Sequence, residues 1–348
     1  MNGLYADKNK NKRVIIMRLK RILLLVCSAA VLLTSCGNSI SSGKTDTASS
    51  VAKPVTSSQK ANETKPTETT TVTTTATAAA PMEDIAPSVT EPYSKASAVY
   101  CVDDKKLLCG NNMNGRISIA STTKLMTASV ALKYLSPATV VTVGTELSLV
   151  QPDSTLCLIY QGCKLTLSEL LMGLLIPSGN DAAYTVAVTV ARSLHPGEQL
   201  SDQQAVKIFC ELMNQFAAEL GMTSTHFANP EGWDNPDHYS TLSDMIKLSE
   251  YALTVPEIRE IIKTPQKTMN FVTGGYASWT NNNYFVIPGS GYYSPDAIGM
   301  KTGTTDDAGY CLISAFVRGG KTYICAAMGC NTDLDRFTLT RELIQAYT

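Results

Sequence analysis

Three short groups of residues in this chain have types and spacings that can do chemistry. The first is Ser121-Thr122-Thr123-Lys124. A serine hydroxyl is a weak nucleophile and needs a base. Three positions apart on a helix, Ser121 and Lys124 share one face a turn apart. A lysine among apolar neighbours loses hydration, its pKa falls, and its neutral amine can take the hydroxyl proton. The second group is Ser178-Gly179-Asn180, where a hydroxyl and a carboxamide on a tight turn can relay a proton and orient a peptide carbonyl. The third is Lys301-Thr302-Gly303, in which a cation and a hydroxyl can hold a carboxylate. Its glycine lets a substrate backbone approach a strand edge. Alone, each group has an ordinary explanation: a capping serine with a surface lysine, simple turn chemistry, a strand-end charge. Ser57-Ser58-Gln59-Lys60 repeats the first spacing in a stretch with no pattern to fold it.

The elements that must position these groups are legible around them. Residues 96–102 and 106–109 read as a hairpin about Asp103-Asp104. Residues 122–135 are apolar nearly all round, the pattern of a buried central helix. Thr166 and Glu169 form a capping-box pair that opens a helix to Leu175. Pro177-Ser178-Gly179 breaks that helix, and further helices follow over 181–192, 203–220 and 241–253. Strands return over 297–302, 309–318 and 321–329, with Gly319-Gly320 as a two-residue hairpin turn, and 333–347 closes as a helix. The expected fold is α/β of the α+β type. One antiparallel sheet is built from both ends of the domain and flanked by helices, with a helical subdomain inserted. The cleft would lie between sheet and helices.

Taken together and in this order, a Ser-x-x-Lys on a helix, a Ser-x-Asn on a loop and a Lys-Thr-Gly on a strand resemble the signature of penicillin-recognising serine enzymes. The surroundings agree: Ile119-Ala120 before Ser121, Ile176-Pro177 before Ser178, Gly299-Met300 before Lys301, and Ala308-Gly309-Tyr310-Cys311 after it. Thr225-His226-Phe227 and His238-Tyr239-Ser240-Thr241 resemble the middle of the same family. The chain from about residue 96 to 347 thus resembles the low-molecular-mass penicillin-binding proteins, the D-alanyl-D-alanine carboxypeptidases, with their transpeptidase-like and β-lactamase-like fold.

The resemblance implies that Ser121 is acylated, that Lys124 accepts its proton and that Ser178 passes a proton toward the leaving amine. Asn180 would bind the substrate's peptide carbonyl, and Lys301 and Thr302 its terminal carboxylate. The backbone N–H groups of Ser121 and Thr304 would form the oxyanion hole. The implied partners are peptidoglycan stem peptides ending in D-Ala-D-Ala, with β-lactams as covalent inhibitors and no cofactor or metal. Thr304 stands where relatives often carry His or another polar residue. A β-rich domain and a terminal amphipathic helix, common in the family after the catalytic part, are not expected here. A D,D-endopeptidase or a β-lactamase remains an alternative on the same fold. Against the latter, no Glu-x-x-Leu-Asn segment lies between Asn180 and Lys301, and the middle motif is Ser-Gly-Asn. A non-catalytic wall-binding module would not need the full set of side chains.

Charge and composition speak to place. The 348 residues carry 29 Lys+Arg and 30 Asp+Glu, a near-neutral total that argues against nucleic acid as a partner. Seven of the basic residues and one acidic residue precede Cys36, so the remainder holds 22 basic against 29 acidic groups. Residues 22–33 form an apolar run behind Arg18, Lys20 and Arg21, too short to span a bilayer comfortably. It ends in Leu33-Thr34-Ser35-Cys36, which resembles a bacterial lipobox. Residues 1–36 are therefore read as a signal peptide, with a lipid on Cys36 and the protein on the outer face of the cytoplasmic membrane. Residues 37–92 are rich in Thr, Ser and Pro with little to bury and read as a disordered tether. Such a tether has an r.m.s. span of about 40 Å. The catalytic domain is expected over 93–348. Of the ten cysteines, several lie in apolar strand patterns, such as Cys311 and Cys325, and buried thiols are expected there. No Cys-x-x-Cys pair exists and His is scarce, which argues against a zinc site.

Overall fold

The computed structural model describes residues 82–89, 94–271 and 273–348. The expected signal peptide, the lipid-bearing Cys36, Ser57 to Lys60 and most of the expected tether lie outside the described residues. Residues 82–89, within the span read as tether, bond to the body of the domain. Ile85 exchanges backbone hydrogen bonds with Gly110, and the Asp84 carboxylate accepts the N–H of Met113 at 2.8 Å.

Nine strands and seven α-helices make up the described fold. The strands are β1 (Ala96–Cys101), β2 (Lys106–Asn111), β3 (Val140–Thr142), β4 (Lys164–Thr166), β5 (Gln266–Asn270), β6 (Tyr276–Thr280), β7 (Ala297–Thr305), β8 (Gly309–Arg318) and β9 (Lys321–Cys330). The helices are α1 (Lys124–Tyr134), α2 (Leu167–Leu175), α3 (Asn180–Leu194), α4 (Asp202–Glu219), α5 (Leu242–Thr254), α6 (Pro256–Ile262) and α7 (Asp333–Tyr347). The main sheet has five strands in the order β2-β1-β9-β8-β7, every neighbouring pair antiparallel. The first two strands and the last three thus join one sheet, and the helices between β2 and β7 form the insert.

Period-two alternation explains why both faces of this sheet are covered. On β8, Cys311, Ile313 and Ala315 face the core shared with the helical insert, while Leu312 and Phe316 face the core under α7. On β9, Ile324, Ala326 and Met328 take the first face, Cys325 and Ala327 the second. The smaller core is closed by Phe337, Leu339, Leu343 and Ile344 of α7. Residues 125–131 of α1 are all buried; the two hydroxyls among them, Thr127 and Ser129, donate to the main-chain carbonyls of Pro230 and Leu125.

Local chemistry sets the boundaries. The Thr166 hydroxyl accepts from Glu169 N at 3.2 Å, and Thr166 N donates to the Glu169 carboxylate at 2.7 Å. This reciprocal cap fixes where α2 starts. Gly319 and Gly320 both have positive φ, the tight turn that matches the twist of β8 and β9. The β3–β4 and β5–β6 pairs and the short α6 were not evident in the sequence. Strands of three residues, such as β3 and β4, are too short for a periodic signal.

Candidate active site

Ser121 lies in a single 3-10 turn, Ala120–Thr123, that leads directly into α1. Sequence periodicity merged the two; the tighter turn brings the hydroxyl to the rim of the cleft, while Lys124 is the first residue of the α-helix and fully buried. The Lys124 Nζ lies 2.7 Å from Ser121 Oγ, 2.8 Å from Asn180 Oδ1 and 2.9 Å from the Glu231 carbonyl oxygen. An ammonium has three protons, and here there are three acceptors. When the amine is neutral, two N–H bonds still go to Asn180 and Glu231, so the lone pair is left facing the serine. Burial is the main cause that lowers the Lys124 pKa from its ordinary value, to about 8, while the negative charges of Glu231 and Asp181 oppose it. A neutral amine aimed at a hydroxyl is the arrangement of a general base for a serine nucleophile.

The turn that carries Ser121 is strained and clamped. Ala120 has φ 46°, a conformation that costs an alanine about 1–2 kcal/mol. Its carbonyl accepts the Thr123 hydroxyl at 2.8 Å, and that hydroxyl accepts from His238 Nε2, also at 2.8 Å. Because Ala228 N donates to His238 Nδ1, the ring proton sits on Nε2 and the imidazole is neutral. Burial holds its pKa down at about 4. Two glycines close the clamp. A Cβ on Gly303 would stand 2.8 Å from Ser121 N, and one on Gly232 would stand 1.9 Å from Ala120 O. Only glycine lets strand and loop press so closely on the nucleophile's backbone.

Ser178 occupies the break between α2 and α3, and Asn180 is the first residue of α3. Ser178 adopts φ 69°, and Gly179 N bonds to Gly173 O at 3.0 Å. The turn is held by Asp181, whose buried carboxylate accepts Cys157 N and Leu158 N, both at 2.9 Å. Asn180 Oδ1 receives Lys124, and its Nδ2 donates to Ser154 Oγ at 3.1 Å. Ser121 and Ser178 share a cavity of about 270 Å³ with Thr302, Gly303, Thr304 and Arg336.

Lys301 sits deeper than a strand-end cation. It is 1% exposed, and its Nζ donates to the Thr302 carbonyl at 2.8 Å. Burial lowers its pKa well below the ordinary value, and the positive charges of Lys124 and Arg336 push the same way. Among the described residues, the cation that lines the cavity is Arg336 of α7. It donates to Gly303 O and Cys311 O, each at 3.0 Å, to Thr304 Oγ1 at 3.2 Å, and pairs with Asp333. Arg336 carries no motif and reads in sequence as one more polar residue of an amphipathic helix. Glu231 and the clamping role of His238 were missed for the same reason. The sequence signals available were weak: an acid beside a turn glycine, and a histidine in a segment already recognised as family-like.

A serine and a buried lysine, backed by an asparagine and a second serine and facing a Lys-Thr-Gly strand, define a serine hydrolase of the penicillin-recognising class. The chain belongs to the D-alanyl-D-alanine carboxypeptidase family, whose profile matches residues 85–332. It is a serine-type peptidase by that membership. It is 34% identical over 250 residues to a D-alanyl-D-alanine carboxypeptidase from a Streptomyces strain, which covers 69% of this chain and 82% of the relative. It is 31% identical over 252 residues to DacC of Escherichia coli and 28% over 246 residues to DacF of Bacillus subtilis. The matches span only 57% and 59% of those two relatives. Among solved structures, a Streptomyces DD-transpeptidase superposes with a TM-score of 0.66 at 32% identity, over 74% of this chain and 98% of that one. A penicillin-binding protein of Listeria monocytogenes, in its ampicillin-bound form, gives 0.59 at 28% identity over 72% and 96%.

Proposed function

We propose that this protein is an exported D-Ala-D-Ala carboxypeptidase that trims peptidoglycan stem peptides through an acyl-Ser121 intermediate. The observation that carries this reading is the 2.7 Å contact between Lys124 Nζ and Ser121 Oγ at the edge of the cavity. Ser121 Oγ gives its proton to Lys124 and attacks the carbonyl of the penultimate D-Ala. The N–H groups of Ser121 and Thr304 hold the oxyanion, where fixed donors stabilise the transition state most. The C–N bond then breaks, and the leaving D-Ala takes a proton relayed from Lys124 through Ser178. Thr302, Thr304 and the Arg336 guanidinium receive the terminal carboxylate, and its negative charge favours protonation of the buried Lys301 beside them. Water completes the cycle by hydrolysing the ester. A β-lactam presents the same carboxylate and an acylating carbonyl, so it acylates the same serine. Lipid on Cys36 holds the enzyme at the outer face of the membrane.

Intact mass spectrometry after penicillin exposure, followed by peptide mapping, tests this reading. A single adduct on Ser121, together with release of D-Ala from a D-Ala-D-Ala peptide, is expected. No adduct, or one on another serine, overturns it. The name of the Streptomyces neighbour, a DD-transpeptidase, adds a second reading in which an amine replaces water as acceptor. Muropeptide products separate the possibilities: loss of D-Ala, new cross-links, or cut cross-links for an endopeptidase. Sustained turnover of nitrocefin marks a β-lactamase.

A further inference from the structure

The segment before β4 carries a serine that belongs to none of the three motifs. With Ser121 and Asn180, Ser154 lines a second, smaller cavity of about 80 Å³ beside the nucleophile. Asn180 Nδ2 donates to Ser154 Oγ at 3.1 Å, while Asn180 Oδ1 accepts from Lys124 Nζ at 2.8 Å. A carboxamide has an acceptor at one end and two donors at the other, in nearly the same shape. The two contacts therefore read opposite ends of one group, and Ser154 as acceptor is satisfied by only one of its two orientations.

Ser154 is held in place by bonds that do not involve that side chain. Ser154 N donates to Gln151 O at 3.3 Å, and Asn180 N donates to Thr155 O at 2.8 Å. Further along the segment, the buried Asp181 carboxylate accepts Cys157 N, Leu158 N and Ile159 N, and Trp279 Nε1 of β6 donates to Cys157 O at 2.8 Å. Gly179 lets the segment lie directly on the turn before α3, since a Cβ there would stand 2.8 Å from Cys157 Cβ. The hydroxyl is thus fixed to the start of α3 by main-chain contacts on both sides of the Asn180 carboxamide.

We propose that Ser154 is the positioning residue that keeps the oxygen of Asn180, and not its NH2 group, turned toward Lys124 once that amine is neutral. The proposal rests on the acyl-serine reading above and adds to it how the base is kept free. A charged Lys124 is a donor only and holds Asn180 Oδ1 by itself. A neutral Lys124 has a lone pair, and a reversed carboxamide would donate an N–H to it. That lone pair would then be unable to take the Ser121 proton. Reversal would also turn Oδ1 toward the substrate carbonyl. In the orientation observed, one N–H of Nδ2 goes to Ser154 and the other is the donor proposed for that carbonyl.

Penicillin acylation of the full chain, measured from pH 6 to 10, tests this. At low pH almost all of the protein carries the ammonium, which holds Oδ1 with or without Ser154. The active neutral form is then equally populated, so Ser154→Ala is expected to match the parent protein within about twofold at pH 6, which also reports a folded cleft. At high pH the neutral variant divides between two carboxamide orientations, of which one is active. Its plateau is expected to fall about tenfold and its midpoint to move down by about one pH unit. Glu231, Asp181, Cys157, Lys301 and His238, the ionisable groups around Lys124, are the same in both proteins. Ser154→Thr keeps the hydroxyl and is expected to return plateau and midpoint to the parent values. If Ser154→Ala does not fold, Ser154→Cys, a weaker acceptor of the same shape, carries the comparison with its midpoint below the parent's. A misaligned cleft instead lowers the rate equally at every pH with the midpoint unmoved. That result, an unchanged profile, or no recovery in Ser154→Thr overturns the proposal. Absence of any acyl-Ser121 in the parent protein overturns the proposed function itself, which is a distinct result.

Discussion

In the proposed mechanism the chemistry of Ser121 depends on the protonation of one buried amine, and this makes a pH profile informative. Lys124 must be neutral to accept the serine proton. Its pKa is lowered toward 8 by burial, so the neutral fraction at pH 7 is larger than for an exposed lysine and still rises as pH rises. The rate of penicillin acylation is therefore expected to climb with pH through about 8 and then level, read by stopped-flow acylation across pH 6 to 10. A flat profile over that range would separate Lys124 from the proton transfer. His238 gives the complementary effect on stability. Its folded pKa, about 4, lies below the unfolded value near 6.5, so the folded state resists protonation. The stability it contributes is complete above pH 6.5 and is lost as pH falls from 6.5 toward 4, to a total of about 3 kcal/mol. Urea unfolding of the parent protein and of His238→Asn over that window measures it. The parent curve is expected to fall more steeply, and parallel curves would count against a buried neutral imidazole.

At the scale of elements, the site exists because β7 and the 3-10 turn before α1 touch without side chains between them. Gly303 Cα faces the Ser121 backbone, and a methyl group there meets main-chain atoms that cannot rotate aside. Gly303→Ala is expected to separate strand from turn, cost about 1–3 kcal/mol in stability and slow penicillin acylation more than tenfold. Denaturation midpoints and acylation rates check the two parts. Gly319→Ala offers a contrast. The position has open space but φ 54°, so it is expected to lower stability by about 1 kcal/mol through backbone strain and to leave acylation unchanged. α7 links the elements in another way. Arg336 reaches from it to the carbonyls of Gly303 and Cys311, on β7 and β8, so the helix that closes the smaller core also places the cavity's cation.

For the whole molecule, the proposal of a lipid on Cys36 separates place from chemistry. The cleft is built entirely from residues beyond 120, so the lipid has no part in it. Cys36→Ser is expected to release the protein from membranes while penicillin acylation of Ser121 proceeds at the parent rate. Fractionation with a fluorescent penicillin reads both at once, and membrane retention of the processed variant would count against the lipid.

The sequence by itself determined what repeats locally. The capping box of α2, the buried character of α1, the alternation along β8 and β9 and the turn at Gly319-Gly320 depend on neighbours within a few residues, and each was legible. So were Ser121, Lys124, Ser178, Asn180, Lys301 and Thr302, because their spacing is itself the signal. The depth of Lys301 was not, since burial is set by elements far along the chain. Only the tertiary structure brought Glu231 to Lys124 across 107 positions, His238 to Thr123 across 115, and Arg336 to Gly303 across 33. Such contacts arise when the helical insert and α7 pack on the sheet, and no local pattern records them. The lowered pKa of Lys124 and of Lys301 follows from that packing, because desolvation exists only once the core has closed around the charge.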